Sequence, residues 1–184
     1  PELDPEDIAE EFLDFVKRRA GLLIEVGDQQ YSFVHLTFQE YLTASHIITN
    51  GETGGVTRIW EAIKNHCNDD RWNEVIRLLI AGLRSDETQE LLIEKILEKT
   101  EGGQQINQAL LLGGLLLDRI EAAELQQKEI IISLIHSGIL SKETEQVQRI
   151  CSMLRLWQEK ESKNEEIMGQ AFQIVRKKLQ NKKN

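Results

Sequence analysis

Proline is nearly missing from this chain: the two that occur, Pro1 and Pro5, stand at its start. After residue 5 nothing removes a backbone N–H or locks φ against a helix, so long uninterrupted helices are expected. Cysteine is as scarce. Cys67 and Cys151 lie 84 positions apart and no C-x-x-C pair occurs, which excludes a disulfide framework and a thiolate metal site. Free cysteines on apolar helix faces behave as small hydrophobes, and the compartment expected for them is the reducing cytoplasm. Long apolar runs are absent too. The longest, Ala109 to Leu117, holds nine residues, two of them glycine, far short of the roughly 20 that span a bilayer. The opening Pro-Glu-Leu-Asp-Pro-Glu-Asp is acidic, unlike the basic start of a secretory signal. No membrane partner is expected.

The signatures of catalysis are missing as well. There is no Gly-x-x-x-x-Gly-Lys-Ser/Thr phosphate loop, no Gly-x-Gly-x-x-Gly, no Gly-x-Ser-x-Gly and no His-Glu-x-x-His. The glycines at 51, 54 and 55 have no lysine to reach a phosphate and read as a turn. His66 and Cys67 are adjacent, and consecutive helical residues diverge by about 100°, so they make a poor chelating pair. No enzyme and no metal are expected of this chain. The net charge is −9, and residues 1–50 hold ten acids against three bases. Such a surface repels phosphate, so nucleic acid is not an expected partner either.

What the chain does have is helical periodicity. Asp4-Pro5 reads as an N-cap followed by proline at the first helical position. Ile8, Phe12, Phe15 and Val16 continue a helix that Gly21 can stop. Leu22–Val26 and Tyr31–Val34, rich in β-branched and aromatic residues around Gly27-Asp28-Gln29-Gln30, predict one β-hairpin. Thr37 and Glu40 have capping-box spacing, with Thr37 as cap, and Phe38, Tyr41 and Leu42 are expected to form a core face. Asn50 to Gly55 is read as a loop, dividing a helix–hairpin–helix segment, 1–50, from a helical array, 51–184.

Four apolar stripes define that array. They are Trp72/Val75/Ile76/Leu79/Leu83, Ile106/Ala109/Leu110/Gly113/Leu116/Leu117/Ile120, Ile130/Ile131/Leu134/Ile135 and Val147/Ile150/Cys151/Leu154/Trp157. Breaks are expected near Asp69, Ser85-Asp86, Gly102-Gly103, Gln126, Gly138 and Asn164. Leu78–Leu83 and Leu110–Leu115 are alike at about 32 residues' separation, within the period range of HEAT-like and tetratricopeptide arrays. Their mid-helix glycines mark places where neighbours approach closely. The five bases and no acid of Arg176–Asn184 suit the C-terminal end of a last helix.

One run carries more. Tyr31-Ser32-Phe33-Val34-His35-Leu36-Thr37-Phe38-Gln39-Glu40-Tyr41-Leu42-Thr43-Ala44 resembles the signature closing the winged-helix region of NACHT-family (STAND-type) signalling NTPases. Asp70–Leu79 resembles the helical segment that follows it there. The resemblance implies a mainly α chain: a small winged-helix-like part with one hairpin, then a HEAT-like bundle or short α-solenoid. It implies an upstream NTPase domain of the same polypeptide that binds ADP or ATP, none of which this chain holds by itself. His35 matches the histidine that contacts the phosphates of ADP in several members. The other reading of His35 is a hydrogen bond across the hairpin–helix corner. Phe33, Thr37, Phe38, Gln39, Glu40 and Tyr41 are read as structural members of that corner, and Trp72 as a buried anchor of the array.

The function so implied is a non-catalytic regulatory or sensor segment of a NACHT-type signalling NTPase, coupling nucleotide state to recognition of an unidentified protein or ligand signal. The alternative is a helical protein–protein interaction scaffold unrelated to nucleotide. A phosphate loop preceding residue 1 in the parent protein would separate the two.

Overall fold

A computed structural model describes residues 4–15, 21–28, 30–100, 106–118, 124–160 and 163–181. The expectations that fell on Val16, Gln29, Gly102-Gly103, Ile120 and the last three residues lie outside them. The chain divides into two compact units, residues 1–43 and 44–184.

In the first unit, α1 (Pro5–Phe15) starts as its sequence requires. Asp4 Oδ1 accepts the Glu6 N–H at 3.1 Å and the Asp4 carbonyl accepts that of Ile8, which satisfies donors a helix start leaves open. β1 (Leu23–Gly27) and β2 (Gln30–Phe33) form the expected antiparallel hairpin, pairing Leu23 with Phe33, Ile24 with Ser32 and Glu25 with Tyr31. The register slips between Glu25 and Gly27, a bulge beside the turn. None of the described residues of 4–43 is buried.

The helix that follows, α2 (Leu36–Ile63), corrects the sequence reading. Asn50–Gly55 is not an open loop: helical turns run up to Gly55 and resume directly after it. Gly55 alone departs, at φ 66° and ψ −170°, a backbone state open essentially to glycine. The departure is a sharp reversal. In a straight helix residues 51 and 59 would lie about 12 Å apart along the axis, yet a Cβ at Gly51 would run into the Ile59 side chain. The chain therefore folds back at one residue, and Gly51 leaves room for Ile59 to be buried.

The rest of the second unit is a helical bundle. A turn and a short 3-10 segment, Asp70–Trp72, lead into α3 (Asn73–Gly82). Then come α4 (Asp86–Thr100), α5 (Ile106–Leu117), α6 (Glu124–Leu140), α7 (Thr144–Gln158) and α8 (Lys163–Asn181). The Asp69, Ser85-Asp86 and Asn164 breaks fall near element ends. Those expected near Gln126 and Gly138 do so too, two residues inside the start and the end of α6.

α5 is the hub. It packs on α3, α4, α6 and α7, and every residue from Gln108 to Leu116 is buried. Its two glycines are where neighbours come close, as expected. A Cβ at Gly113 would lie 3.1 Å from Leu134 of α6 and 3.2 Å from Met153 of α7, and one at Gly114 would lie 3.1 Å from Arg77 of α3. Buried polar groups serve the junctions between helices. Gln108 donates to the Ile96 carbonyl of α4. Asn164 donates to the Trp157 carbonyl at 2.7 Å, satisfying an acceptor in the last turn of α7. Among the described residues no helix is long and apolar enough to cross a membrane.

Candidate functional site

The hairpin–helix corner is where the sequence concentrates its specific residues. β2 ends at Phe33, the chain bends through Val34 and His35, and α2 starts at Leu36. The Val34 N–H returns to the Leu22 carbonyl at 3.0 Å, so the bend is anchored to the start of the hairpin. His35 precedes the first helical residue, and its carbonyl accepts the Phe38 N–H at 3.1 Å. His35 thus stands where Thr37 was expected. Thr37 lies inside the first turn, because the chain bends two residues earlier than a cap at 37 needs. The hydroxyls here that bond locally are those of Ser32, donating to the Phe33 carbonyl at 3.4 Å, and Thr43, donating to the Gln39 carbonyl at 2.7 Å.

The His35 ring is exposed at the surface of this unit, its centroid 6.1 Å from that of Phe38 and tilted by 45°. Phe33 and Glu40 are half-buried; Thr37, Phe38, Gln39 and Tyr41 are exposed. The expected core face therefore needs correction. Phe38, Tyr41 and Leu42 are 41%, 60% and 48% exposed, since one helix, one hairpin and the first turns of a second hold too little apolar surface to enclose them.

Electrostatically the corner offers one imidazole. Residues 20–43 contain no lysine or arginine and three acids, Glu25, Asp28 and Glu40. That is not a phosphate site by itself, because a nucleotide's negative charge needs several donors or cations.

A second cluster surrounds Trp72. His66 stacks on its indole at 3.9 Å between centroids and 11° between planes. Trp72 is half-buried, so it anchors the array less completely than its place in the stripe suggested. Asp69 holds the turn, accepting the backbone N–H of Arg71 at 3.1 Å and its guanidinium at 3.0 and 2.8 Å. That bond keeps the Asp69 carboxyl below the ordinary carboxylate range. Cys67 is buried, with its thiol turned to the Ile63 carbonyl, whereas Cys151, expected on an apolar face, is exposed on α7. Among the described residues no three His, Cys, Asp or Glu side chains are grouped to hold a metal ion.

One contact had no signal in the sequence. Arg77 of α3 makes a two-point bond with Asp118, just past α5, at 2.6 Å for each arm, and a third bond to Glu74 at 2.9 Å. Periodicity places Arg77 on the polar side of a helix; it says nothing about a partner 41 residues away.

Residues 2–47 match the family described as the winged helix-turn-helix domain C-terminal to NACHT, and this part of the chain is a NACHT-associated C-terminal region. No curated protein and no solved structure matches the chain.

Proposed function

Starting from a chain whose residues 2–47 are of the kind that follows a NACHT module, we propose that it is a regulatory segment of a NACHT-type signalling NTPase. A winged helix in that place is not itself catalytic. Its part is to couple the nucleotide state of an upstream NTPase domain in the same polypeptide to recognition of a protein or ligand signal, in the cytoplasm. The bundle of residues 44–184 serves as the relay or sensor platform.

The observation that carries this reading is the corner residue His35, exposed at the start of α2 within the matched segment. An imidazole there can donate to a phosphate of ADP bound upstream. A donor that reaches the nucleotide in only one arrangement of the modules biases the switch toward that arrangement. The exposed apolar side chains of the first unit support the reading too, since such a surface is what a neighbouring module would cover.

The test is the nucleotide content of the purified full-length parent, wild type against His35→Ala, by denaturing extraction and chromatography. Loss of a hydrogen bond to a charged group costs about 1.5–3 kcal/mol, so affinity for ADP should fall roughly tenfold or more. ADP content that is the same in both would remove His35 from the switch. A parent without nucleotide would leave a helical interaction scaffold.

A further inference from the structure

Charge is unevenly spread along this chain. Residues 141–184 hold ten basic and six acidic side chains, whereas residues 1–140 hold twelve basic and twenty-five acidic. The basic excess gathers at the end, where no acid follows Glu166. α8 turns Ile167, Met168, Ala171 and Val175 inward and leaves Phe172, Gln173, Arg176 and Lys177 exposed. Phe172 is 52% exposed. Beside it, a Cβ at Gly169 would meet no heavy atom within 4 Å, so the helix surface there is open.

α4 presents the opposite face. Leu92, Ile93 and Ile96 are buried, while Glu87, Leu91, Glu94 and Glu98 are exposed. Those four recur at the spacing of one helix face, which makes a leucine set in a row of three carboxylates.

We propose that the chain self-associates head to tail, with α8 of one copy lying on α4 of the next. Phe172 meets Leu91, and Arg176 and Lys177 lie beside Glu94 and Glu98. The register follows from the sequence. Arg176 comes one turn after Phe172 and Glu94 one turn after Leu91, so parallel helices match both the apolar pair and the charges. The antiparallel alignment would pair Arg176 with Glu87 but leave Glu94 without a cation and set Glu165 opposite Glu98. Two copies of α4 would oppose carboxylates, and two parallel copies of α8 would oppose cations; two antiparallel copies of α8 would set Glu165 and Glu166 near Arg176 and Lys177, a pairing that charge reversal on α4 would leave intact. The unlike pair joins the Phe172–Leu91 contact to matched charges, so the contact is heterologous and able to repeat. One helix on one helix buries less than the roughly 1,200 Å² of a stable interface. The association is accordingly weak and falls with salt.

The experiment is sedimentation equilibrium of the full chain. At low salt the average mass should rise above 21.2 kDa with concentration and return toward it in 1 M salt, where the screening length shrinks to about 3 Å. Glu94→Lys/Glu98→Lys and Arg176→Glu/Lys177→Glu should each stay monomeric, since each makes its two faces alike in sign. An equimolar mixture should associate again, because each variant then meets an opposite face. Circular dichroism checks that both variants fold, and the wild-type salt series stands without them. A wild type that remains at 21.2 kDa up to about 1 mM at low salt overturns the proposal. So does association that the charge reversals leave intact, or a mixture that stays monomeric.

Discussion

Ile8, Phe12 and Phe15 of α1 recur at the same spacing as Trp72, Ile76 and Leu79 at the start of the bundle. The first three are 49%, 63% and 53% exposed, while Ile76 and Leu79 are wholly buried. All the buried apolar residues described lie from Ala44 onward. An amphipathic stripe tells a segment to be helical and to offer one face. It does not supply the cover. In residues 44–184 successive helices cover one another around α5; in residues 1–43 the same kind of stripe remains open.

The sharpest way to break this contrast is to cut side chains from both. Leu112→Ala empties the fully buried centre of α5 and should cost about 2–5 kcal/mol in denaturant unfolding. Phe12→Ser, in the exposed stripe, should shift the same transition by less than about 0.5 kcal/mol. Comparable losses at both positions would mean that the first unit buries its stripe after all.

Next in size is the reversal within α2. Gly55→Ala places a Cβ where there is room but in a backbone state open essentially to glycine, so its cost is conformational, about 1–3 kcal/mol. A melting temperature equal to that of the wild type would show that the reversal is not a fixed part of the bundle.

The smallest effect belongs to the Asp69–Arg71 turn, exposed and local. The Asp69 carboxyl is held below its usual value of 3.8, chiefly by the hydrogen bond from the Arg71 side chain. Its contribution is therefore complete above that value and is lost as pH falls through the lower, folded one. Asp69→Asn should lower neutral-pH stability slightly, to the level the wild type reaches in acid, and so remove that acid-side loss. Trp72 fluorescence, next to the turn and stacked on His66, is the local readout. An acid transition that survives the substitution would assign it to another carboxylate.

Much of the architecture was legible in the sequence. Two early prolines, alternating β-branched residues around Gly27-Asp28, and stripes repeating every three to four residues are local signals, read at the range over which they act. Glycine was legible only in part. Gly113 and Gly114 signal close approach by their place in mid-helix, and the structure sets Leu134, Met153 and Arg77 against them. Gly51, Gly54 and Gly55 suggest a loop by sequence alone, because glycine clusters serve a loop and a one-residue reversal equally well. The contact that distinguishes them, Gly51 with Ile59, depends on how the two halves of α2 meet. The corner residues were picked out by resemblance rather than by period. By contrast, the cap expected at Thr37 and the core face expected at Phe38, Tyr41 and Leu42 rest on spacing, and the structure instead sets His35 just before the helix and leaves those three apolar residues exposed.

By itself the sequence determined the class of this protein: a helical chain with one hairpin, without a phosphate loop or a cysteine pair, carrying a recognisable corner at residues 31–44. These properties follow from bonds and steric preferences among near neighbours. Tertiary structure decided which stripes are covered, where α2 turns back, and that Arg77 finds Asp118. Each of those depends on groups distant in the chain being brought together, and hydrophobic burial and ion pairing have no sequence range of their own.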